Sequence, residues 1–202
     1  YTIEIGGIKS PDVSFELAKK NRYTNEVRCP DQKTAEKMKQ AILTSRQSGN
    51  SIGGIIECVS TSIPVGLGEP VFSSLESDLS KALFSIPAVK AVEFGSGFGA
   101  TRKLGSENND LFVSEKGKII TLTNNSGGIL GGLSTGMPLI IRIGFKPAAS
   151  IAKTQKTFDF ATKSLVDLQV PGRHDPCVVP RAPPVLESIV SLTLGDHGIK
   201  CG

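Results

Sequence analysis

The sequence predicts an α+β fold in which antiparallel sheets pack with helices. Two observations carry this. Helix-like and strand-like segments are interleaved along the chain, yet residues 118–170 read as hairpins, which places antiparallel pairing above a doubly wound parallel sheet. The composition is that of a chain with a core: 39% of the 202 residues are hydrophobic and 21% charged. A chain of this length buries about 70% of its unfolded surface without a disulfide or metal staple.

Residues 1–8 alternate and are β-branched, as in a strand, and Ser10-Pro11 opens a polar stretch to Pro30 that reads mostly as loop. Ala35, Met38, Ala41, Ile42 and Ser45 then recur at helical spacing, with Asp31 as N-cap and Gly49 as stop. Residues 51–62 are β-branched with little helical period and read as a strand, followed by a turn-rich link over 64–70. Phe72, Leu75, Leu79, Leu83 and Ile86 make the apolar stripe of a second helix, which Pro87 ends. Residues 89–94 read as a strand, and the polar, glycine-containing 95–110 is a loop of a length that in compact domains is usually functional or disordered, with the functional reading favoured. Residues 118–123 and 137–145 read as strands joined by a glycine-rich connection, and 156–170 adds two shorter strands. A last helix starts at Pro183-Pro184, buries Leu186, Ile189, Val190 and Leu194, and stops at Asp196-His197-Gly198.

The balance of 23 basic against 19 acidic residues, +4, is spread along the chain, so there is no nucleic-acid arm and no polybasic membrane patch. With no Trp and two Tyr the chain lacks platforms for base stacking. The modest surplus suits an anionic small molecule. Cys29, Cys58, Cys177 and Cys201 form no C-x-x-C pair, which speaks against a zinc knuckle or a disulfide framework and for a reducing compartment. Apolar runs are broken by charges such as Glu57 and Arg142, and no signal-peptide pattern opens the chain, so a soluble, cytoplasmic protein is expected. Tyr1 stands where an initiator Met would, which points to a start inside a longer polypeptide.

Three segments are candidates for chemistry. Residues 124–136 carry five glycines in 13 residues, so bare backbone N–H groups can approach an anion or a flat ring, although turns and close packing explain glycines equally well. The spacing is not that of a dinucleotide fingerprint and no Walker lysine follows, which disfavours nucleotide hydrolysis. Arg142, Lys146, Pro147, Ala148, Ala149 and Ser150 follow, offering cations and a hydroxyl, or only a solvated strand end. Residues 171–177, Pro-Gly-Arg-His-Asp-Pro-Cys, pack a guanidinium, an imidazole, a carboxylate and a thiol into one rigid turn. There Arg173 is a candidate oxyanion clamp, Asp175 a base or proton relay, His174 an acid or base, and Cys177 a nucleophile or ligand, with a small buried residue the favoured reading of Cys177. No second Cys or His pair has ligand spacing, so no metal site is expected. His197, at the expected end of the last helix, suits a helix C-terminus.

The segments GRHDPC at 172–177 and NNSGGILGG at 124–132 together resemble the chorismate synthase family, as do PVGLGEPVF at 64–72, SIPAVKAVEFGSGF at 85–98 and GFKPAASI at 144–151. The resemblance covers residues 1–202 and corresponds to the C-terminal half of the family's domain, hence to half of its β-α-β sandwich of antiparallel sheets and helices. It implies a lyase of the shikimate pathway, in aromatic amino acid biosynthesis, that eliminates phosphate from 5-enolpyruvylshikimate 3-phosphate to give chorismate, with reduced FMN as cofactor. It implies Arg173 in contact with substrate and flavin, Asp175 as a proton relay near the flavin, and flavin contacts at Ala88, Gly131 and Lys146 to Ser150. In that last segment Ala148 and Ala149 replace two hydroxyl residues of the family's Lys-Pro-Thr-Ser-Ser. The family's N-terminal motifs, including G-E-S-H-G, a second catalytic histidine and an arginine cluster, are absent from this sequence. A small phosphorylated substrate, a homotetramer and a cytoplasmic location, or a plastid in a plastid-bearing eukaryote, follow from the same resemblance. The alternative is a non-catalytic portion that supplies oligomer contacts and a partial flavin or phosphate site.

Overall fold

The computed structural model describes residues 1–201. In chain order the elements are β1 (Thr2–Ile5), β2 (Ile8–Lys9), α1 (Phe15–Asn21), α2 (Gln32–Gln47), β3 (Gly54–Ser60), α3 (Leu75–Phe84), β4 (Val89–Phe94), α4 (Gly105–Asn108), β5 (Phe112–Glu115), β6 (Lys118–Thr121), β7 (Ile129–Leu130), β8 (Leu133–Ser134), β9 (Leu139–Phe145), β10 (Gln155–Asp159), β11 (Ser164–Leu168) and α5 (Pro183–Cys201). Short 3-10 turns lie at Val71–Ser73, Gly97–Arg102 and Val179–Arg181. The chain forms two compact units: Tyr1–Ile55 with Phe145–Ala182, and Ile56–Gly144 with the residues from Pro183 on.

In the first unit the strand expected over 1–8 is a hairpin. Gly6 and Gly7 both have positive φ, +58° and +83°, and form the two-residue turn that pairs Ile5 with Ile8. Strand β1 lies between β2 and β3. Helix α2 starts where the sequence reading placed it, with the Asp31 carboxylate accepting from the Thr34 N–H at 2.8 Å. It buries Ala35 and Met38. Helix α1 lies in the stretch expected to be loop. Ser14 caps it, but Ala18 is its only buried residue, so it has no apolar stripe to read. Strands β10 and β11 form the expected hairpin, in register from Gln155↔Leu168 to Asp159↔Ser164.

In the second unit β9 runs between β3 and β4, and its alternate residues Leu139, Ile141 and Ile143 are buried. The pairing of β6 differs from expectation. Its partner is β5, through a turn at Lys116-Gly117 with φ of +52° and +78°, while the glycine-rich connection holds its own small hairpin, β7–β8. Helix α3 packs on α5, burying Leu75, Leu79 and Leu83 against a helix whose Leu186 and Val190 are also buried. Phe72, expected on that stripe, is 91% exposed, because Ser74 caps the helix and Phe72 falls in the 3-10 turn before it.

Helix α5 passes through the expected stop at 196–198. Neither Gly195 nor Gly198 takes a positive φ, and Lys200 pairs with Asp196 at 2.7 Å one turn apart. His197 is therefore inside a helix and 1% exposed, not at an end. Its Nε2 lies 3.1 Å from an Asp78 oxygen but off the direction of a hydrogen bond, and neither ring nitrogen has a hydrogen-bond partner among the described residues.

Candidate functional site

Two of the segments singled out by sequence, 146–150 and 171–177, lie in the first unit and meet there. Ser150 Oγ is 3.0 Å from His174 Nδ1, and His174 Nε2 is 2.8 Å from the carbonyl of Val170. A third segment, read from the sequence only as strand, braces both. The Ser51 hydroxyl donates to the carbonyl of Ala148 at 2.6 Å, and the Ile52 N–H donates to the carbonyl of Pro176 at 2.9 Å. Gly53 follows, and a Cβ there would stand 2.2 Å from the Phe145 carbonyl oxygen, so this close approach admits only glycine. The spacing Ser-Ile-Gly-Gly before a β-branched run was the available signal for that role.

Around residues 173–177 lies a cleft of about 500 Å³ whose lining includes Ile42, Arg46, Arg173, His174, Asp175 and Arg181. Arg46, from the last turn of α2, and Arg181, from the 3-10 turn before α5, were not singled out by sequence. Arg181 is committed: its Nη1 is 2.8 Å from Asp175 Oδ2. Arg173 is exposed and has no partner among the described residues. The cleft thus offers guanidinium groups in excess of carboxylates, the charge pattern suited to a phosphate or carboxylate ligand.

Cys177 is 5% exposed, and burial pushes its thiol up to about 11, with a smaller opposing effect from the Val179 N–H. A buried thiol so raised is a poor nucleophile at neutral pH, which fits the reading of Cys177 as a small buried residue. Iodoacetamide at pH 8 is expected to leave Cys177 unmodified in the folded protein and to label it after denaturation. Peptide mass mapping checks this, and native labelling would contradict it.

The glycine-rich loop lies in the second unit, and it already holds an anion of its own. The Asp110 carboxylate accepts from the backbone N–H groups of Asn125 at 2.7 Å and Ser126 at 2.9 Å and from the Thr123 hydroxyl at 2.6 Å. The Gly128 N–H is taken by the Asn124 side chain at 2.8 Å. The loop's early N–H groups are therefore not free for a ligand, and its later part is the β7–β8 turn. There Gly131 has φ +61°, is exposed and would meet nothing within 4 Å if it carried a Cβ. Arg142 is likewise spoken for, with Nε 2.8 Å from Glu57 and Nη1 2.6 Å from the carbonyl of Gly95. Ala88 sits at the start of β4 with φ +73°, an unusual conformation for a residue with a Cβ.

Partial burial of Asp110 disfavours its charged form, but the hydrogen bonds from Thr123, Ser126 and Asn125 together outweigh this and hold its carboxyl below the usual carboxylate range. A folded-state value below the unfolded one stabilises the protein above about pH 4, and that stabilisation is lost as the pH falls through the folded value. Asp110→Asn is expected to cost about 1 kcal/mol at pH 7 and less at pH 3, below the unfolded value. Urea denaturation at the two pH values checks this, and an equal cost at both would contradict it.

The family model for chorismate synthase matches residues 1–199. The chain belongs to the chorismate synthase family. Among its relatives, the chorismate synthases of Methanosarcina acetivorans and Korarchaeum cryptofilum are each 49% identical to it, over 202 and 197 residues, which is 100% and 98% of this chain and 55% of each relative. That of Prochlorococcus marinus is 54% identical over 178 residues, 88% of this chain and 49% of the relative. A solved structure titled "Crystal Structure of Chorismate Synthase" superposes with a TM-score of 0.79 at 26% identity, covering 98% of this chain and 55% of that one. The chain spans about half the length of the curated relatives it matches, namely their C-terminal part.

Within the family's half-length, the segments that carry its motifs are distributed over both units. Lys146 to Ser150 and Arg173 to Cys177 belong to the first, and Ala88 and Gly131 to the second. Among the described residues no group of three or more His, Cys, Asp or Glu is placed to hold a metal ion, and no helix is long and apolar enough to cross a membrane.

Proposed function

We propose that this chain supplies part of the active site of an enzyme that eliminates phosphate from 5-enolpyruvylshikimate 3-phosphate to give chorismate, with reduced FMN as cofactor, in the shikimate pathway. The observation that carries this reading is the Ser150–His174 contact, which ties the segment resembling the family's flavin contacts to the segment resembling its substrate contacts. The residues fit a phosphorylated flavin. Lys146 and Arg173 are exposed cations without a partner among the described residues, and Gly131 leaves open space where a side chain would stand. When bound, the reduced flavin supplies electron density as the phosphate departs. Lys146, Pro147, Ala148, Ala149, Ser150 and Arg173 of the first unit are proposed to hold it, and flavin contacts are proposed separately for Ala88 and Gly131 of the second.

Arg173 binds and orients an anionic group of the substrate, where a planar guanidinium is preorganised for a bidentate contact. Asp175, held by Arg181, moves a proton to or from the reacting pair. Ala148 and Ala149 remove two hydroxyls from the flavin segment, a loss worth about 1 kcal/mol each if those hydroxyls bond the cofactor in relatives. Large exposed apolar side chains in the second unit, Phe72 at 91%, Val71 at 76% and Val65 at 74%, fit an assembly face of the homotetramer expected for the complete protein. A second reading, a non-catalytic portion that supplies oligomer contacts and a partial flavin or phosphate site, draws on the same exposed Val65, Val71 and Phe72.

The test uses a completed enzyme, this chain joined to the N-terminal portion of the Methanosarcina acetivorans relative, without oxygen and with reduced FMN and substrate. Phosphate and chorismate are expected in equal amounts. Arg173→Ala is expected to raise substrate KM tenfold or more, and Arg173→Lys to recover only part of the loss. Complete recovery by Lys would exclude a bidentate contact, and a folded, ligand-binding completed enzyme that forms no chorismate would overturn the reading.

A further inference from the structure

We infer that His174 is a positioning residue and not the acid or base of the site, an inference that rests on the reading above for what it positions. Both of its ring nitrogens are occupied. The carbonyl of Val170, 2.8 Å from Nε2, can only accept, so Nε2 carries the hydrogen. In the neutral ring Nδ1 is then the acceptor, and the Ser150 hydroxyl at 3.0 Å donates to it. No ring nitrogen is left to take a proton from a substrate or to give one.

The two bonds explain why an imidazole stands between Arg173 and Asp175. The bond to Val170 closes the turn across Pro171 and Gly172, where Gly172 has φ +120°, a conformation open to glycine. A closed turn limits where the flanking Arg173 and Asp175 can go. Asp175 is fixed from its other side by Arg181 at 2.8 Å and by a weaker bond from the Cys177 N–H at 3.4 Å. The bond to Ser150 then ties this turn to the 146–150 segment, which Ser51 holds in turn through the carbonyl of Ala148. His174 thus transmits the placement of the cofactor-type segment to the substrate-type segment through one hydrogen bond.

The experiment has two parts. The chain has two histidines, so ¹⁵N NMR of the histidine-labelled chain resolves both rings, and the ring of His174 is expected to carry its proton on Nε2 near neutral pH. A proton on Nδ1 there would overturn the inference whatever the enzyme does. In the completed enzyme, His174→Ala is expected to raise substrate KM about tenfold with a smaller fall in kcat. His174→Gln, whose amide nitrogen restores a donor toward Val170, is expected to recover most of the loss and to keep both limbs of the pH profile of kcat/KM. Ser150→Ala is expected to weaken flavin binding several-fold, with no further effect when added to His174→Ala. Loss of one limb of the pH profile in His174→Gln, or a fall in kcat beyond 100-fold with unchanged KM, would make His174 a proton-transfer group and overturn the inference. Full activity of His174→Ala would overturn it as well. An unmutated completed enzyme that makes no chorismate would instead count against the proposed function, while the NMR result would still stand for or against the ring assignment.

Discussion

Asp175→Asn in the completed enzyme is expected to lower turnover by about 100-fold or more while flavin affinity changes by no more than about threefold. General acid–base groups contribute about 100-fold to 10,000-fold. The substitution keeps the side-chain shape and removes the charge, so it also removes the ion pair with Arg181. That ion pair is solvent-facing on the Arg181 side, which is 70% exposed, so its loss contributes little to stability. The expected deficit is therefore one of kcat, read from chorismate absorbance under anaerobic conditions, with flavin binding followed separately by titration. Turnover unchanged by the substitution would remove Asp175 from the mechanism.

Gly53→Ala carries the other large effect. A methyl group there would sit 2.2 Å from the carbonyl oxygen of Phe145 and 3.1 Å from the backbone of Lys146 and Pro147, so the start of the 146–150 segment must move. Overpacking of this kind costs about 1–3 kcal/mol, occasionally more. Gly99 provides the contrast: a Cβ there meets nothing within 4 Å and its φ is not positive, so Gly99→Ala is expected to change stability by less than about 0.5 kcal/mol. Thermal unfolding compares the two. Because Gly53 braces the segment proposed to hold the flavin, its substitution is also expected to weaken flavin binding by about tenfold or more. Wild-type stability and affinity in Gly53→Ala would show that the segment is not held from this side.

Much of the fold was legible because the relevant signals are local. Asp31 and its helical stripe, Leu75 with Leu79 and Leu83, and the alternation in β9 each follow from spacing within one element. What was not legible depends on partners distant in sequence or on backbone φ. Nothing local distinguishes a strand over 1–8 from a hairpin until Gly6 and Gly7 adopt positive φ. Likewise Asp196-His197-Gly198 looks like a helix stop but remains helical within α5.

The site divides in the same way. Arg173, Asp175 and the 146–150 segment stood out by residue type and by resemblance to a family. Arg142 stood out too, but Glu57 and Gly95 already hold its guanidinium. The glycine-rich loop looked like an anion cradle and is one, for Asp110 of the same chain. Arg181 and Ser51 escaped notice because their roles exist only once the chain has folded.

The central claim is the proposed one, that the Arg173–Asp175 and Lys146–Ser150 segments act in a chorismate-forming site together with the portion that precedes the match in the relatives. The most direct test is anaerobic chorismate formation by the 202-residue chain alone, with reduced FMN and substrate supplied and the intact mass confirmed, beside the completed enzyme. No turnover by the chain alone, and turnover once the N-terminal portion is joined to it, is the expected result. Turnover by the chain alone would contradict the claim and place every catalytic role on residues of this chain, with His174 then to be weighed beside Arg173 and Asp175.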